Sequence, residues 1–453
     1  MRLAALIFAT EGGTRFRSRV SVVLHPLAGM PMAWYALHTV SEADAEAVVL
    51  IVGEHGDQVR RTLGESAARY VCLDQGEDTG HALLRAHSLL GEHPDLVLAC
   101  RADMPLLTSR SVIRLLEAHS LSRPAVTVLT LADDDPMGRE RANHGVDGAL
   151  VEIAEGREDA PEGQDTRVHC GACCLDGNWL WSHIDPLSRS SVGREDILAD
   201  VIRMALSEGQ RVQTILADDP DEMLRIEDRT HLARAEAIIR RRVNEQLMLK
   251  GVTLQDPAST YIDATVTIGS DTVILANTHL AGQTSIGQEC VIGPNSIIRD
   301  SHIGDRCRVT ASVVEEAVME EDCNIGPFGH IRPKARMCAG SHMGNFGEIK
   351  NATLGPGVKM GHFGYLGDAT IGEGANIGAG TITCNYDGER KHPTTIGKNA
   401  FLGAGSILIA PMIIGDESRT GAGAVVTRDV PPNTLVYGVP ARPAPPKDEG
   451  KDP

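Results

Sequence analysis

Between residues 251 and 442 the apolar positions fall into a six-residue rhythm. Gly355, Gly361 and Gly367 are six apart, as are Gly397 and Gly403, and aliphatic residues precede many such glycines, as in Ile268-Gly269, Ile292-Gly293, Ile325-Gly326 and Ile396-Gly397. An aliphatic residue at every sixth position marks the hexapeptide repeat, three hexapeptides to a triangular coil. It predicts a left-handed parallel β-helix whose coils bury their aliphatic side chains against one another. The polar segment 383–393 breaks the rhythm and is expected to loop out. Upstream, Leu232, Ala235, Ile239, Val243 and Leu247 recur at three- and four-residue steps, which predicts one long helix over 228–249 with Gly251 as its C-terminal cap. Residues 1–220 differ. Continuous apolar runs at 3–9, 46–53 and 95–100 alternate with helical stretches, the pattern of a Rossmann-like α/β domain with a parallel sheet covered on both faces. The expected organisation is 1–227, a linker helix 228–250, a β-helix 251–442 and a disordered tail 443–453 rich in Pro, Lys and Asp.

Aromatic residues are only 3% of the chain against 42% apolar residues overall, so packing should be aliphatic and in thin layers. The net charge of −18 sets aside a generic nucleic-acid or anionic-membrane partner, while leaving room for a local cationic pocket around a small anion. The short apolar run 3–9 reads as a buried strand rather than a leader peptide, and no run approaches the ~20 residues of a membrane span. The ten cysteines form no regular framework. Cys170-Gly171-Ala172-Cys173 has no second pair at zinc-ligand spacing, so reduced thiols in a cytoplasmic protein fit the pattern.

The coil period gives the chemistry its places. Arg332 and Lys350 are 18 residues apart and should stack on one face. Two cations a coil apart repel unless an anion lies with them, and a phosphate suits the pair. Ala404 and Ala422, also 18 apart, give a small-residue stripe against which a long thin ligand can lie. His362 falls between glycines, with Glu348, Lys350, Tyr365 and Asn376 nearby in the repeat. An imidazole, ordinarily titrating at about 6.5, suits taking a proton from an attacking amine. In the first domain, Gly12-Gly13 and Arg15 follow the first strand and Asp103 follows the third, which reads as a phosphate loop beside a ligand for a hard divalent cation. A structural glycine turn and a capping aspartate are the alternative reading.

The segments Gly344-Asn345-Phe346-Gly347-Glu348-Ile349-Lys350, Gly361-His362-Phe363-Gly364-Tyr365-Leu366-Gly367-Asp368 and Asn376-Ile377-Gly378-Ala379-Gly380-Thr381-Ile382-Thr383-Cys384-Asn385-Tyr386-Asp387-Gly388 closely resemble the acetyltransferase half of the bifunctional N-acetylglucosamine-1-phosphate uridylyltransferase/glucosamine-1-phosphate N-acetyltransferase family. The resemblance implies His362 as general base with Glu348 orienting it. It implies Arg332, Lys350, Tyr365 and Asn376 on the sugar phosphate, and Ala379, Asn385, Tyr386, Ala404 and Ala422 along an acetyl-CoA path. Gly438 stands where the family has an arginine for the CoA phosphates, and Arg442 is nearby. The first half is similar to the family's nucleotidyltransferase domain, with departures. Glu11 replaces a phosphate-cradling glycine, Val22 replaces a lysine, and Arg101-Ala102-Asp103 replaces a Tyr-Gly-Asp metal turn. The family's positions imply a nucleotide-sugar site at Gly13, Arg15, Thr79, Gly138, Glu152 and His169, with Mg2+ at Asp103 and Glu227, although His169 and Glu227 each stand where the family has an asparagine. The family's partners would be glucosamine-1-phosphate, acetyl-CoA, and UTP or UDP-N-acetylglucosamine, in a homotrimer with sites between subunits. The expected function is glucosamine-1-phosphate N-acetylation. The rivals are the full bifunctional enzyme and a non-catalytic trimeric scaffold with a nucleotide-sensing N-terminal domain.

Overall fold

The computed structural model describes residues 2–10, 14–65, 68–73, 79–90, 94–132, 141–144, 150–154, 166–185, 187 and 197–444. The chain divides into two compact units, 1–239 and 240–453. The helix Arg229–Leu249 runs through the division. Asp228 caps its start by accepting from the Thr230 and His231 amides, and Gly251 ends it with φ +94°.

The first unit is built on a sheet with the order Val212–Leu216, Val126–Ala132, Thr166–Asp176, Leu96–Arg101, Leu3–Ala9, Ala47–Val52, Arg69–Cys72. Leu3–Ala9 is central and pairs in parallel with both Ala47–Val52 and Leu96–Arg101. The sheet is not all parallel, as the apolar runs suggested. Thr166–Asp176 runs antiparallel to both of its long neighbours. Its cysteines read as scattered thiols in the sequence. In the strand Cys173 and Cys174 are both buried and belong to the cores on opposite faces of the sheet. The crevice at the carboxyl ends of Leu3–Ala9 and Leu96–Arg101, where the crossovers part to opposite sides, is where such sheets hold ligands.

The second unit is a parallel β-helix of three sheets, with 12, 10 and 9 strands, made of two- to four-residue strands. One face begins at Thr253–Leu254, the second at Tyr261–Ile262, the third at Thr267–Ile268. Each face buries one inward row. On the first, Ile274, Ile292, Val309, Ile325, Met343, Met360, Ile377 and Leu402 stack from coil to coil. On the second the row runs Leu280, Ile298, Val314, Ile331, Ile349, Leu366, Thr383, Leu408. A triangular section this narrow holds aliphatic chains and has no room for rings, and Phe328, Phe346, Phe363 and Phe401 are accordingly exposed on its outside. Thr383 interrupts its row, and its hydroxyl bonds the Gly367 amide and carbonyl at 2.8 and 3.1 Å. Corner positions carry buried hydroxyls and thiols. Cys290 donates to Gly304 O at 3.1 Å, Cys307 to Glu320 O at 3.0 Å, and Cys323 to Cys338 O at 3.1 Å, so three thiols do the work of the serines and threonines at neighbouring corners.

The coil that contains the rhythm break is longer than the others. Asn376 stands over Phe401, whereas Lys359 stands over Asn376. The exposed excursion starts at Tyr386, because Thr383 and Asn385 are buried in the wall. The β-helix pairing continues beyond 442: Arg442–Pro443 pairs antiparallel with Leu435–Tyr437, and the Ala444 amide donates to Leu435 O. Pro443 and Ala444 thus close the last coil instead of starting the tail. The rest of the expected tail lies outside the described residues.

Candidate active site

His362 sits on the turn between Lys359–Met360 on the first face and Gly364–Gly367 on the second. The turns at this corner stack on one another. Gly380 N donates to Phe363 O at 2.7 Å, Gly405 N to Ala379 O at 2.7 Å, and Gly423 N to Ala404 O at 2.8 Å. Ala379, Ala404 and Ala422 therefore follow His362 on consecutive coils, half-buried at Ala379 and exposed at the other two. In the other direction the same corner carries rings. Phe328 and Phe346 stack 5.3 Å apart, and Phe328, Phe346 and Phe363 are 60%, 58% and 59% exposed. Glycine is required at 344 because a Cβ there would lie 2.0 Å from Gly361 O of the next turn. His362 is exposed and sits where the aromatic row gives way to the alanine row.

The second face runs away from this corner. Its outward residues His330, Glu348 and Tyr365 stand in register. Its far edge carries Arg332, whose amide bonds Ile349 O at 2.9 Å, and Lys350, which is in register with Gly367. The predicted stacking of Arg332 on Lys350 is thus built by the coil register. Glu348 lies elsewhere than expected: its carboxylate accepts from Arg332 Nη1 at 2.7 Å. That bond raises the Arg332 pKa, and Tyr365 and Glu315 add to the effect. Among the described residues no hydrogen bond joins Glu348 to His362. A Cβ built on Gly367 would lie 2.3 Å from the Tyr365 hydroxyl and 2.8 Å from Asn385 Nδ2, so these two polar groups converge over Gly367. Asn385 donates to Asp368, which also accepts from Asn351. Asn385 therefore belongs with Lys350 and Tyr365, not with the alanine row. Tyr386 is 60% exposed and its hydroxyl donates to Gly388 O at 2.5 Å within its own loop, so it too stands apart from that row. A four-residue strand spans ~13 Å, which separates the cationic edge from the His362 corner.

Asn376 lies on the first face, over Lys359, across the corner from Tyr365. His342 stands over Lys359 and bonds Asn324. Burial lowers the His342 pKa, and the charges of Lys359, its register partner on the next coil, and of His362 lower it further. Sequence reasoning missed His342, Lys359 and Asp368. The first two were recoverable as outward residues a coil apart on the row that leads to Asn376. Arg442, exposed, is on the last strand, and its Nη1 donates to Ala441 O.

In the first unit Arg15 pairs with Glu227 at 2.5 Å. Thr79 begins the helix Thr79–Leu90. Glu152 is exposed and accepts from Asn143 Nδ2 at 3.2 Å. His169 lies on Thr166–Asp176 opposite Thr130. Gly13 and Gly138 lie outside the described residues. Asp103 is buried, and both of its oxygens already accept from guanidinium groups: Arg101 Nε at 3.0 Å and Nη2 at 3.1 Å, and Arg225 Nε at 3.0 Å. Burial alone would raise the Asp103 pKa, and the two arginines overcome it and hold the carboxyl below its usual range. No group of three or more His, Cys, Asp or Glu suited to a metal occurs among the described residues. This arrangement does not fit the divalent cation expected at Asp103 and Glu227, because each carboxylate is committed to arginine.

Residues 5–217 match the MobA-like NTP transferase domain family. Residues 265–300 match the bacterial transferase hexapeptide family, and 393–428 match the hexapeptide repeat of succinyl-transferase. The chain is 42% identical over 435 residues to the bifunctional protein GlmU of Trichlorobacter lovleyi, covering 95% of each chain. The chain belongs to the GlmU family. Its GlmU relatives in Syntrophomonas wolfei and Exiguobacterium sibiricum are 38% and 40% identical, over 96% and 95% of this chain and 97% and 96% of theirs. As a GlmU-family protein it is a transferase, which sets aside the non-catalytic scaffold. Among the described residues no helix is long and apolar enough to cross a membrane.

Proposed function

We propose that the chain is a glucosamine-1-phosphate N-acetyltransferase that uses acetyl-CoA. The observation that carries this reading is the position of His362, at the head of the alanine row and one strand away from Arg332 and Lys350. The alanine row leaves space for the slender arm of CoA, while the cationic edge suits the sugar phosphate. His362 takes a proton from the 2-amino group as its nitrogen attacks the thioester carbonyl. The C–N bond forms, the C–S bond breaks, and CoA leaves as thiolate to collect a proton. Asn376 and Tyr365 lie on different faces of one chain, which suits a site completed by a second copy in a homotrimer, with the exposed Phe328 and Phe346 rings at its edge. The reading suits the cytoplasm, where acetyl-CoA is made and spent. Release of free CoA that requires glucosamine-1-phosphate, and its loss in His362→Ala, tests the proposal; wild-type turnover by that variant refutes the role of His362.

A second reading adds uridylyl transfer from UTP to N-acetylglucosamine-1-phosphate in the first unit. The span of the match favours this wider reading over acetyl transfer alone, since the relatives called bifunctional align along 95% of the chain. Release of pyrophosphate from UTP in the presence of N-acetylglucosamine-1-phosphate decides it.

A further inference from the structure

Asp103 follows the strand Leu96–Arg101 at the carboxyl edge of the first unit's sheet, where a phosphate-handling site of this fold keeps its positive charge. The carboxylate is 1% exposed and the Arg101 side chain 7%. Arg101 forks across both oxygens, and Arg225 adds a third bond from the segment before the long helix. The backbone fixes the same contact, because the Ile226 amide donates to Asp103 O at 2.9 Å. The fold also makes room for the Arg101 stem. A Cβ on Gly171, in the antiparallel strand alongside, would lie 3.1 Å from Arg101 Cδ and 2.2 Å from Met104 Sδ. Two residues beyond Arg225, the other expected ligand, Glu227, is held by Arg15.

Magnesium needs hard oxygens at about 2.0–2.1 Å in near-octahedral array. To bind Asp103 it would have to displace a bidentate guanidinium from a buried carboxylate, and then sit beside two fixed cations. Arginine stays charged throughout the working pH range, so protonation gives no way out. We infer that Arg101 and Arg225 take the place of the divalent cation in the N-terminal domain: its positive charge is built from the chain, and no metal binds at Asp103 and Glu227. A phosphate ester entering this crevice meets guanidinium instead of a metal ion. The inference concerns the first unit alone and stands or falls independently of acetyl transfer around His362.

Binding of Mn2+ to the full-length protein, without nucleotide, tests it through the paramagnetic resonance signal of the free ion. The expected result is that any Mn2+ uptake is unchanged in Asp103→Asn and in Glu227→Gln. Stoichiometric uptake by the wild type that Glu227→Gln weakens about tenfold or more overturns the inference; this half-exposed position is safe for folding. Thermal unfolding gives a second readout that separates the two cases. Where arginines fill the site, Asp103→Asn lowers the melting temperature and neither EDTA nor millimolar Mg2+ moves the wild type. Where carboxylates wait for a metal, Mg2+ raises the wild-type melting temperature and EDTA lowers it, which also overturns the inference.

Discussion

Arg332 donates to Glu348 at 2.7 Å from one coil to the next, and this pair stands at the cationic edge of the second face. In the proposed site Glu348 would then act on the group that meets the phosphate, and the kinetics of its variants decide between this and a role on the imidazole. Glu348→Gln should raise KM for glucosamine-1-phosphate about tenfold, the effect of losing ~1.4 kcal/mol, while kcat and the shape of the pH–rate profile stay near wild type. His362→Ala should instead lower kcat by roughly 10²–10⁴-fold at similar KM. Steady-state kinetics on both variants separates the two roles, and a Glu348→Gln defect confined to kcat would restore an orienting role for Glu348.

The alanine row predicts a selective block. Ala404 and Ala422 are exposed, so Ala404→Leu or Ala422→Leu should leave the melting temperature within about 1 °C, because surface changes of this kind are usually within ~0.5 kcal/mol. Each should raise KM for acetyl-CoA and leave KM for the sugar phosphate unchanged. Equal effects on the two substrates would place CoA elsewhere.

Gly367→Ala puts a methyl where the Tyr365 hydroxyl and the Asn385 amide now converge. Gly367 is not in the left-handed region, so the loss comes from displacing side chains and not from backbone strain. Breaking the Asn385–Asp368 bond should cost about 1–2 kcal/mol of stability, read by denaturant unfolding, with a fall in kcat/KM larger than in Asn351→Ala.

The β-helix unit should weaken on acidification. His342 has a lowered pKa when folded, so the unfolded chain takes up its proton first as pH falls below about 6.5. The stability associated with neutral His342 is fully present above that value, is lost progressively as pH falls toward the folded pKa, and then levels off. Urea midpoints measured from pH 7.5 to 5.5 should fall less steeply in His342→Asn; parallel curves would exclude His342 as the titrating group.

The exposed phenylalanine ladder predicts assembly. Phe346→Asp, at a position 58% exposed in one chain, should shift the protein from trimer to monomer in sedimentation velocity and abolish acetyl transfer with it. A monomeric wild type, or a trimeric and fully active variant, would leave the ladder without this role.

The β-helix was legible because its period is enforced by geometry: every sixth residue points inward, so each coil writes the same pattern into the sequence. That register alone stacks Arg332 on Lys350 and Ala404 on Ala422. It could not say which partner a carboxylate chooses. Glu348 lies within reach of several groups, and only the side-chain geometry shows that it takes Arg332. Likewise Asn385 follows the wall, not the loop, because its amide bonds Asp368, a pairing with no signature in periodicity. In the first unit, apolar runs revealed the central strands. They did not reveal that Thr166–Asp176 runs antiparallel, since a strand buried on both faces has the same composition in either direction. Asp103 reads in the sequence as a metal ligand, and the sequence pattern carries no sign that Arg101 and Arg225 bond its carboxylate.

The corner that carries His362 also works as a ruler. Each coil advances the corner by ~4.8 Å, so Ala379, Ala404 and Ala422 mark fixed distances of about one, two and three coils from His362. Ligand length along this corner is set by the number of coils, whatever the side chains. Deleting one whole coil beyond Ala379 would leave His362 and the cationic edge in place while shortening the track. If acetyl-CoA lies along this track as proposed, an acyl carrier with a shorter arm should then fit as well as the original, and the reach should change without any change in the chemistry.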